Sequence, residues 1–392
     1  MDKPFVYGVA VSGDNFTDRK KETKRLKMNF ESGVNSILIS PRRMGKTSIV
    51  GKVMSSMTDP KIKVVMMDIY DCRSESDFYE RFAASIIKGV AEKVENMIAY
   101  VREFLGRFSA KVSVSPDPSL DYSLSFGISP KDTDADEILN LPQRIALKRG
   151  VHFVVCIDEF QQIGEFPDSL TVQKRLRGVW QHQGNVSYCL FGSKKHLMEK
   201  IFQRKNMPFY QFGDMIFLDK ISTGDWIDYI CSRFESRSMT ITRSQAEKIC
   251  MLVENYSSYV QQLSWNVMIE ADKVVSDADI DAGFEELLHQ TSSLFMEQIG
   301  SLTSYQMNFL KAVVDGVHSG FTSSDVLARY SLGAKSNVAR IQKALIEREL
   351  VEKRGKLIFA SDPVFSTWFK REYSVRGKRC VFVFYLYNLQ LL

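Results

Sequence analysis

No two of the six cysteines stand in a C-x-x-C pair; they lie singly at Cys72, Cys156, Cys189, Cys231, Cys250 and Cys380. There are only five histidines, and none stands near a cysteine pair, so the chain lacks a zinc ligand set of the usual spacing. Cys156, Cys189 and Cys231 sit inside apolar runs, and all six read as reduced small hydrophobes of a cytoplasmic protein. No run reaches the roughly 18–20 apolar residues that span a bilayer. The opening MDKPFVYGVAVSGDNF has no long apolar core before a small-residue cleavage site, so no signal peptide is expected. An excess of one charge is also missing. The 52 Lys+Arg against 47 Asp+Glu leave +5, too little to identify a nucleic-acid binder unless the cations cluster. No long internal repeat or low-complexity segment occurs.

What remains is an ordinary globular composition, 44% hydrophobic and 25% charged, over 392 residues, a length that calls for two or three domains. Short apolar runs alternate with helical spacing. Residues 36–40 read as a strand, Ser48 to Met57 as a helix, and Lys63 to Asp68 as a second strand. Residues 75–106 give one or two helices, with Phe78, Phe82, Ile86 and Val90 four apart. Asp132 to Lys148 and Leu170 to Gln181 give further helices, and Val151 to Ile157 and Val186 to Phe191 further strands. Between them, Val112, Val114, Tyr122, Leu124 and Phe126 alternate around Pro116-Asp117-Pro118 as an inserted hairpin, at about 108–130. The expected fold class is α/β: a parallel sheet with helices on both faces. A small all-helical domain follows at 221–295 and a winged-helix domain at 296–375, leaving 1–220 as the core. In that third unit Thr322 is expected to cap a short helix through Tyr330, before a longer helix Ser336 to Arg348 and two strands turning at Arg354-Gly355. The tail 376–392 ends in CVFVFYLYNLQLL, too short to span a membrane. It reads either as a docked terminal strand or as an interfacial, partner-binding segment.

The most specific chemistry lies after the first strand. Nucleotide phosphates need converging backbone N–H groups, a helix N-terminus and a mobile cation. Ser40, Pro41, Arg42, Arg43, Met44, Gly45, Lys46, Thr47 and Ser48 hold these parts at the spacing of a phosphate loop. Gly45 allows close approach, Lys46 reaches the β- and γ-phosphates of ATP, and the Thr47 hydroxyl ligates Mg2+. Ser40 stands where the motif usually has its first glycine.

A second constellation ends the most apolar strand. Asp158 and Glu159 are carried to the C-terminal edge of a parallel sheet, where ligands of such sheets bind. Asp158 would hold magnesium and Glu159 would polarise the attacking water. At the next strand tip, Ser193 is either a polar contact for the γ-phosphate or an N-cap for the helix after it.

On these residues the chain resembles the AAA+/STAND class of P-loop ATPases. It is most similar to the archaeal-type ATPases with a C-terminal winged helix, also found in bacteria, distant relatives of the origin-recognition ATPases. The matching pieces are Phe16-Thr-Asp-Arg19-Lys-Lys-Glu22-Thr-Lys-Arg-Leu26, the phosphate loop, Ile157-Asp-Glu-Phe160, Phe191-Gly-Ser193, Tyr259-Val-Gln-Gln-Leu263 and Asp362 to Trp368. The resemblance implies a helix from Phe16 to Leu26 leading into the loop, and an adenine pocket near Val9 or Ala10. It also implies a helical lid and Ser193 as sensor. The lid helix has Tyr259 and Gln262 but no arginine at the sensing position, and Arg204 and Arg175 are the candidates for an arginine finger. These departures fit a STAND-type switch better than a ring motor.

In the winged helix, Lys335, Asn337, Arg340 and Lys343, with Lys353, Arg354 and Lys356, would suit phosphates of duplex DNA. Glu347, Glu349 and Glu352 oppose that, and docking of a regulatory protein or control within the chain stands beside it. Three functions follow: an ATP-hydrolysing switch, a DNA-binding ATPase, or a nucleotide sensor that does not hydrolyse.

Overall fold

The computed structural model describes residues 3–11, 13–91, 94–105, 109–113, 123–127 and 132–373. They divide into two units: Gly8–Lys220, and the segment up to Tyr7 together with the chain from Ile221 onward.

The first unit is built on five parallel strands. These are β1 (Ser36–Ile39), β2 (Ile62–Asp68), β5 (His152–Asp158), β6 (Val186–Gly192) and β7 (Asp214–Phe217), in the order β2-β5-β6-β1-β7. Two more, β3 (Ser109–Ser113) and β4 (Ser123–Gly127), pair antiparallel with Val112 opposite Leu124. Val114, Tyr122 and the Pro116–Pro118 turn lie outside the described residues, as does the tail 376–392.

Alternation along each strand sends neighbours to opposite faces. Leu38, Val154, Cys156, Cys189, Phe191 and Ile216 face α1 (Lys20–Ser32) and α2 (Lys46–Ser56), where they meet Leu26, Phe30, Ile49, Val50 and Val53. Ile37, Ile39, Val155, Ile157, Tyr188 and Leu190 face the other way, toward Phe78, Phe82, Ile145, Leu176 and Met198. Both faces are thus sealed by helices, which is why the strands read as continuous apolar runs. Where one helix was expected over 132–148, the chain forms two, Asp132–Leu139 and Leu141–Arg149. Pro142 has no N–H to continue the first but fits the opening turn of the second.

The second unit starts with the helices Thr223–Glu235, Arg243–Leu252, Ser257–Glu270 and Asp277–Gly300. Ser304–Val314, Ser324–Tyr330 and Lys335–Glu347 follow, then β8 (Val351–Arg354) and β9 (Leu357–Ala360), turning at Gly355 with φ 64°. Ser323, not Thr322, caps the short helix, because its Oγ accepts the Val326 amide at 3.4 Å while Thr322 stands one residue too early. The last helix, Pro363–Tyr373, packs Phe365 and Trp368 on Phe295 at centroid distances of 5.4 and 5.5 Å. Trp368 Nε1 donates to Ser292 Oγ at 3.2 Å, and the Tyr259 hydroxyl donates to Asp362 Oδ2 at 2.6 Å. Among the described residues no helix is long and apolar enough to cross a membrane.

Candidate nucleotide site

Three adjacent parallel strands, β1, β6 and β5, deliver their C-terminal ends to one edge of the sheet. The phosphate-type loop leaves β1, Ser193 follows β6, and Asp158 and Glu159 end β5. Ile39 is in register with Gly192, so the first two tips lie side by side.

The loop is wound by left-handed residues. Arg43 has φ 65° and Gly45 φ 84°, and apart from its neighbours in the chain no atom comes within 4 Å of where a Cβ on Gly45 would stand. Gly45 is the N-cap of α2 and supplies no side-chain cap, so the first amides of α2 are left to other acceptors. Ser40 is buried and its φ is not positive, so serine occupies the usual first glycine position without backbone strain. The Lys46 ammonium, only 7% exposed as a residue, donates to Ser40 O (3.2 Å), Ser40 Oγ (3.3 Å) and Pro41 O (2.9 Å). Pro41, Arg42 and Arg43 form the outer rim, and Met44 is buried beneath it. Ser48 Oγ accepts the Val11 amide at 2.8 Å.

Thr47 Oγ1 donates to Asp158 Oδ2 at 2.8 Å, joining the start of α2 to the tip of β5. Burial pushes the Asp158 carboxyl from 3.8 up to about 6, against the Thr47 hydroxyl and the Glu159 amide, which hold it down; Glu159 and Asp68 add like charge. Glu159 sits at φ 54°. Its Oε2 accepts Ser193 Oγ at 2.9 Å and also Gln161 Nε2. Ser193 therefore turns its hydroxyl to Glu159, while the following helix, Lys195–Gln203, starts after Lys194 without a side-chain cap.

The sequence reading passed over Gln161. It is 1% exposed, and its amide carbonyl oxygen lies 1.8 Å from where a Cβ on Gly192 would be. Gly192 is glycine because the side chain steadying Glu159 occupies that space. Asp68, at the tip of β2, was also unassigned, and Arg19 was quoted only within the matching segment Phe16 to Leu26, without a role of its own. Of the two arginines considered as fingers, Arg175 lies 3.6 Å from Glu75, and Arg204 is the exposed C-cap of Lys195–Gln203. In the second unit Tyr259 reaches Asp362, and Gln262 reaches Gln290 at 3.0 Å, so both are engaged inside that unit.

The architecture can be compared with known proteins. The Walker-type ATPase of Pyrococcus abyssi superposes with a TM-score of 0.66 at 14% identity, over 91% of this chain and 97% of that one. The fold is that of a P-loop ATPase. The ORC2 protein of Aeropyrum pernix, in its ADPNP–ADP complexes, shares this ATPase fold at a TM-score of 0.52 and 12% identity, over 92% of this chain and 97% of that one. A family model described as "Probable winged helix domain" matches residues 293–371, which closes the ATPase fold with a winged helix. No curated protein matches the sequence.

Proposed function

We propose that this protein binds ATP with magnesium and hydrolyses it, acting as a STAND-type switch whose output passes through the winged helix. The observation that carries the reading is the 2.8 Å bond between Thr47 Oγ1 and Asp158 Oδ2, with Glu159 next in the chain. One hydroxyl and one carboxylate are hard oxygen donors, few enough for a magnesium ion that keeps most of its waters. The buried Asp158 carboxylate carries a desolvation cost that a divalent cation relieves, so the residues fit the ion. Magnesium, when bound, supplies positive charge against the phosphate oxygens.

The chain's own groups would do the rest. Lys46 would exchange its three loop acceptors for phosphate oxygens, and the N-terminus of α2 would turn its first amides to the same group. Glu159 would orient a water and take its proton, with Ser193 and Gln161 fixing the carboxylate in place. The ATPase core would span 1–220, the lid 221–295 and the output domain 296–375.

Phosphate release by wild type and Glu159→Gln tests this. We expect glutamine to keep ATP affinity within about threefold while turnover falls on the order of a hundredfold or more. Equal turnover in both would remove Glu159 from the reaction. Tight ATP binding without turnover in wild type would leave a sensor that does not hydrolyse.

A second reading, contact with duplex DNA, is favoured by one face of Lys335–Glu347. Lys335, Arg340 and Lys343 are exposed there, while Val338, Ile341 and Leu345 are buried behind them. Lys353 and Lys356 add to that charge on the hairpin, although Lys343 lies 3.7 Å from Glu347. A gel shift at rising salt, with Arg340→Glu/Lys343→Glu as control, tests it. No shift of wild type at low salt sinks the DNA reading.

A further inference from the structure

Arg19 is a charged residue that the ATPase chemistry above does not use, yet it is 4% exposed. It also has an uncommon backbone. Asp18 (φ 52°) and Arg19 (φ 61°, ψ 25°) are consecutive non-glycine residues in the left-handed region, at the point where α1 begins. Such strain persists only where the surroundings impose it, and it is concentrated at functional sites. Here it turns the arginine inward as the N-cap of a helix that it does not cap through its side chain.

The guanidinium has two partners. Nη2 donates to the carbonyl oxygen of Met44 at 3.2 Å, and Nη1 lies 3.4 Å from Glu22 Oε1. Met44 precedes Gly45, so the gripped carbonyl belongs to the peptide unit that leads into Lys46. A trans peptide unit is planar, with its C=O and N–H pointing in opposite directions. Holding the Met44 carbonyl on one side therefore aims the Gly45 N–H to the other. The grip comes from a fixed base, because Leu26 and Phe30 pack α1 against Ile49, Val50 and Val53 of α2.

We propose that Arg19 is a positioning residue that braces the phosphate loop through the Met44 carbonyl, keeping the Gly45 amide aimed inward before nucleotide arrives. Glu22 balances the buried charge and fixes the rotamer. A lysine could serve Met44 or Glu22 with its single ammonium, but it lacks the planar fork that serves both. The consequence for ATP rests on the function proposed above; the bracing does not.

The test is hydrogen exchange on the full chain without nucleotide, comparing wild type, Arg19→Lys and Arg19→Ala. We expect exchange in peptides covering residues 41–49 to rise at least about threefold in Arg19→Ala and by a smaller factor in Arg19→Lys, while β5 and β6 keep wild-type protection. ATP titration should then show dissociation constants raised about tenfold in Arg19→Ala, with kcat at saturation within about threefold, a split that general loss of structure would not give. Unchanged exchange at 41–49 in either variant overturns the brace, as does a rise spread evenly over the sheet. If Arg19→Ala does not fold, Arg19→Lys decides by the same criterion. If wild type binds no ATP but the local exchange still rises, the nucleotide function falls and the brace stands.

Discussion

Five helices of the second unit begin on side chains that accept a first-turn amide: Ser222, Thr242, Ser276, Thr303 and Ser323. In the first unit α2 begins on Gly45, which has no side chain to offer. The left-handed residues divide in a similar way. In the second unit Ser238, Glu254, Asn255, Ser331 and Glu349 each follow the end of a helix, where such a conformation closes the last turn. In the first, Asp18, Arg19, Arg43 and Glu159 lie along the elements of the candidate site, while Asp168 opens the helix Ser169–Trp180 and Gln211 precedes β7. One region satisfies its own backbone; the other holds open donors and strained residues at one sheet edge, costs that a ligand can offset. The second unit's uncapped helices qualify the contrast: Ser257–Glu270 and Lys335–Glu347 also lack a side-chain cap. An open helix start marks a site only where a cation and carboxylates converge on it.

The contrast can be broken most severely at Lys46. Lys46→Ala should weaken ATP binding about a hundredfold or more, on the order of 3 kcal/mol, because it removes the one ammonium already buried in the loop. Titration with a fluorescent ATP analogue measures it, and affinity within a few fold of wild type would end the special standing of this helix start.

Asp158→Asn sharpens the comparison at intermediate size. The Asp158 carboxyl is raised from 3.8 to about 6 in the folded chain, so between those values the folded state binds more protons than the unfolded one. Stability from this group is therefore full below pH 4 and is lost as pH rises toward 6; above that the cost is constant, on the order of 1–3 kcal/mol. Without nucleotide or magnesium at pH 7.5, Asp158→Asn should raise the melting temperature by a few degrees, while turnover falls steeply. A lowered melting temperature would mean that the carboxylate stabilises the fold instead of serving the site.

The smallest effect belongs to the self-satisfied region. Ser276→Ala removes a capping box on Asp277–Gly300 and should cost about 1 kcal/mol in urea unfolding of the second unit. ATP affinity should not change.

Much of the core was legible because chemistry and periodicity coincide there. The runs ending at Ile39, Asp158 and Gly192 are buried on both faces, so their apolar character shows without knowledge of partners, and their ends carry the loop, the acids and Ser193. β7 was given no bounds of its own, because Asp-Met-Ile-Phe is only partly buried at the sheet edge and lacks the continuous apolar character of β1, with which it pairs. The break at Asn140 was hidden because helical spacing continues across it. The roles of Gln161 and Arg19 were illegible for a different reason. Each works through a backbone or side-chain contact set by a left-handed turn, and a conformation of that kind leaves no period in the sequence.

The clasp of Pro363–Tyr373 on Asp277–Gly300 bears on how this chain can be cut. Trp368 and Phe365 rest on Phe295, and Ser361 and Asp362 receive the hydroxyls of Tyr256 and Tyr259, so the winged region borrows part of its interior from helices upstream. A fragment starting at residue 301 would bare two large aromatic rings to water. Anyone transplanting this region onto another scaffold would have to carry it from Ile221, together with the segment up to Tyr7, whose Phe5 packs on Tyr229 and Phe234.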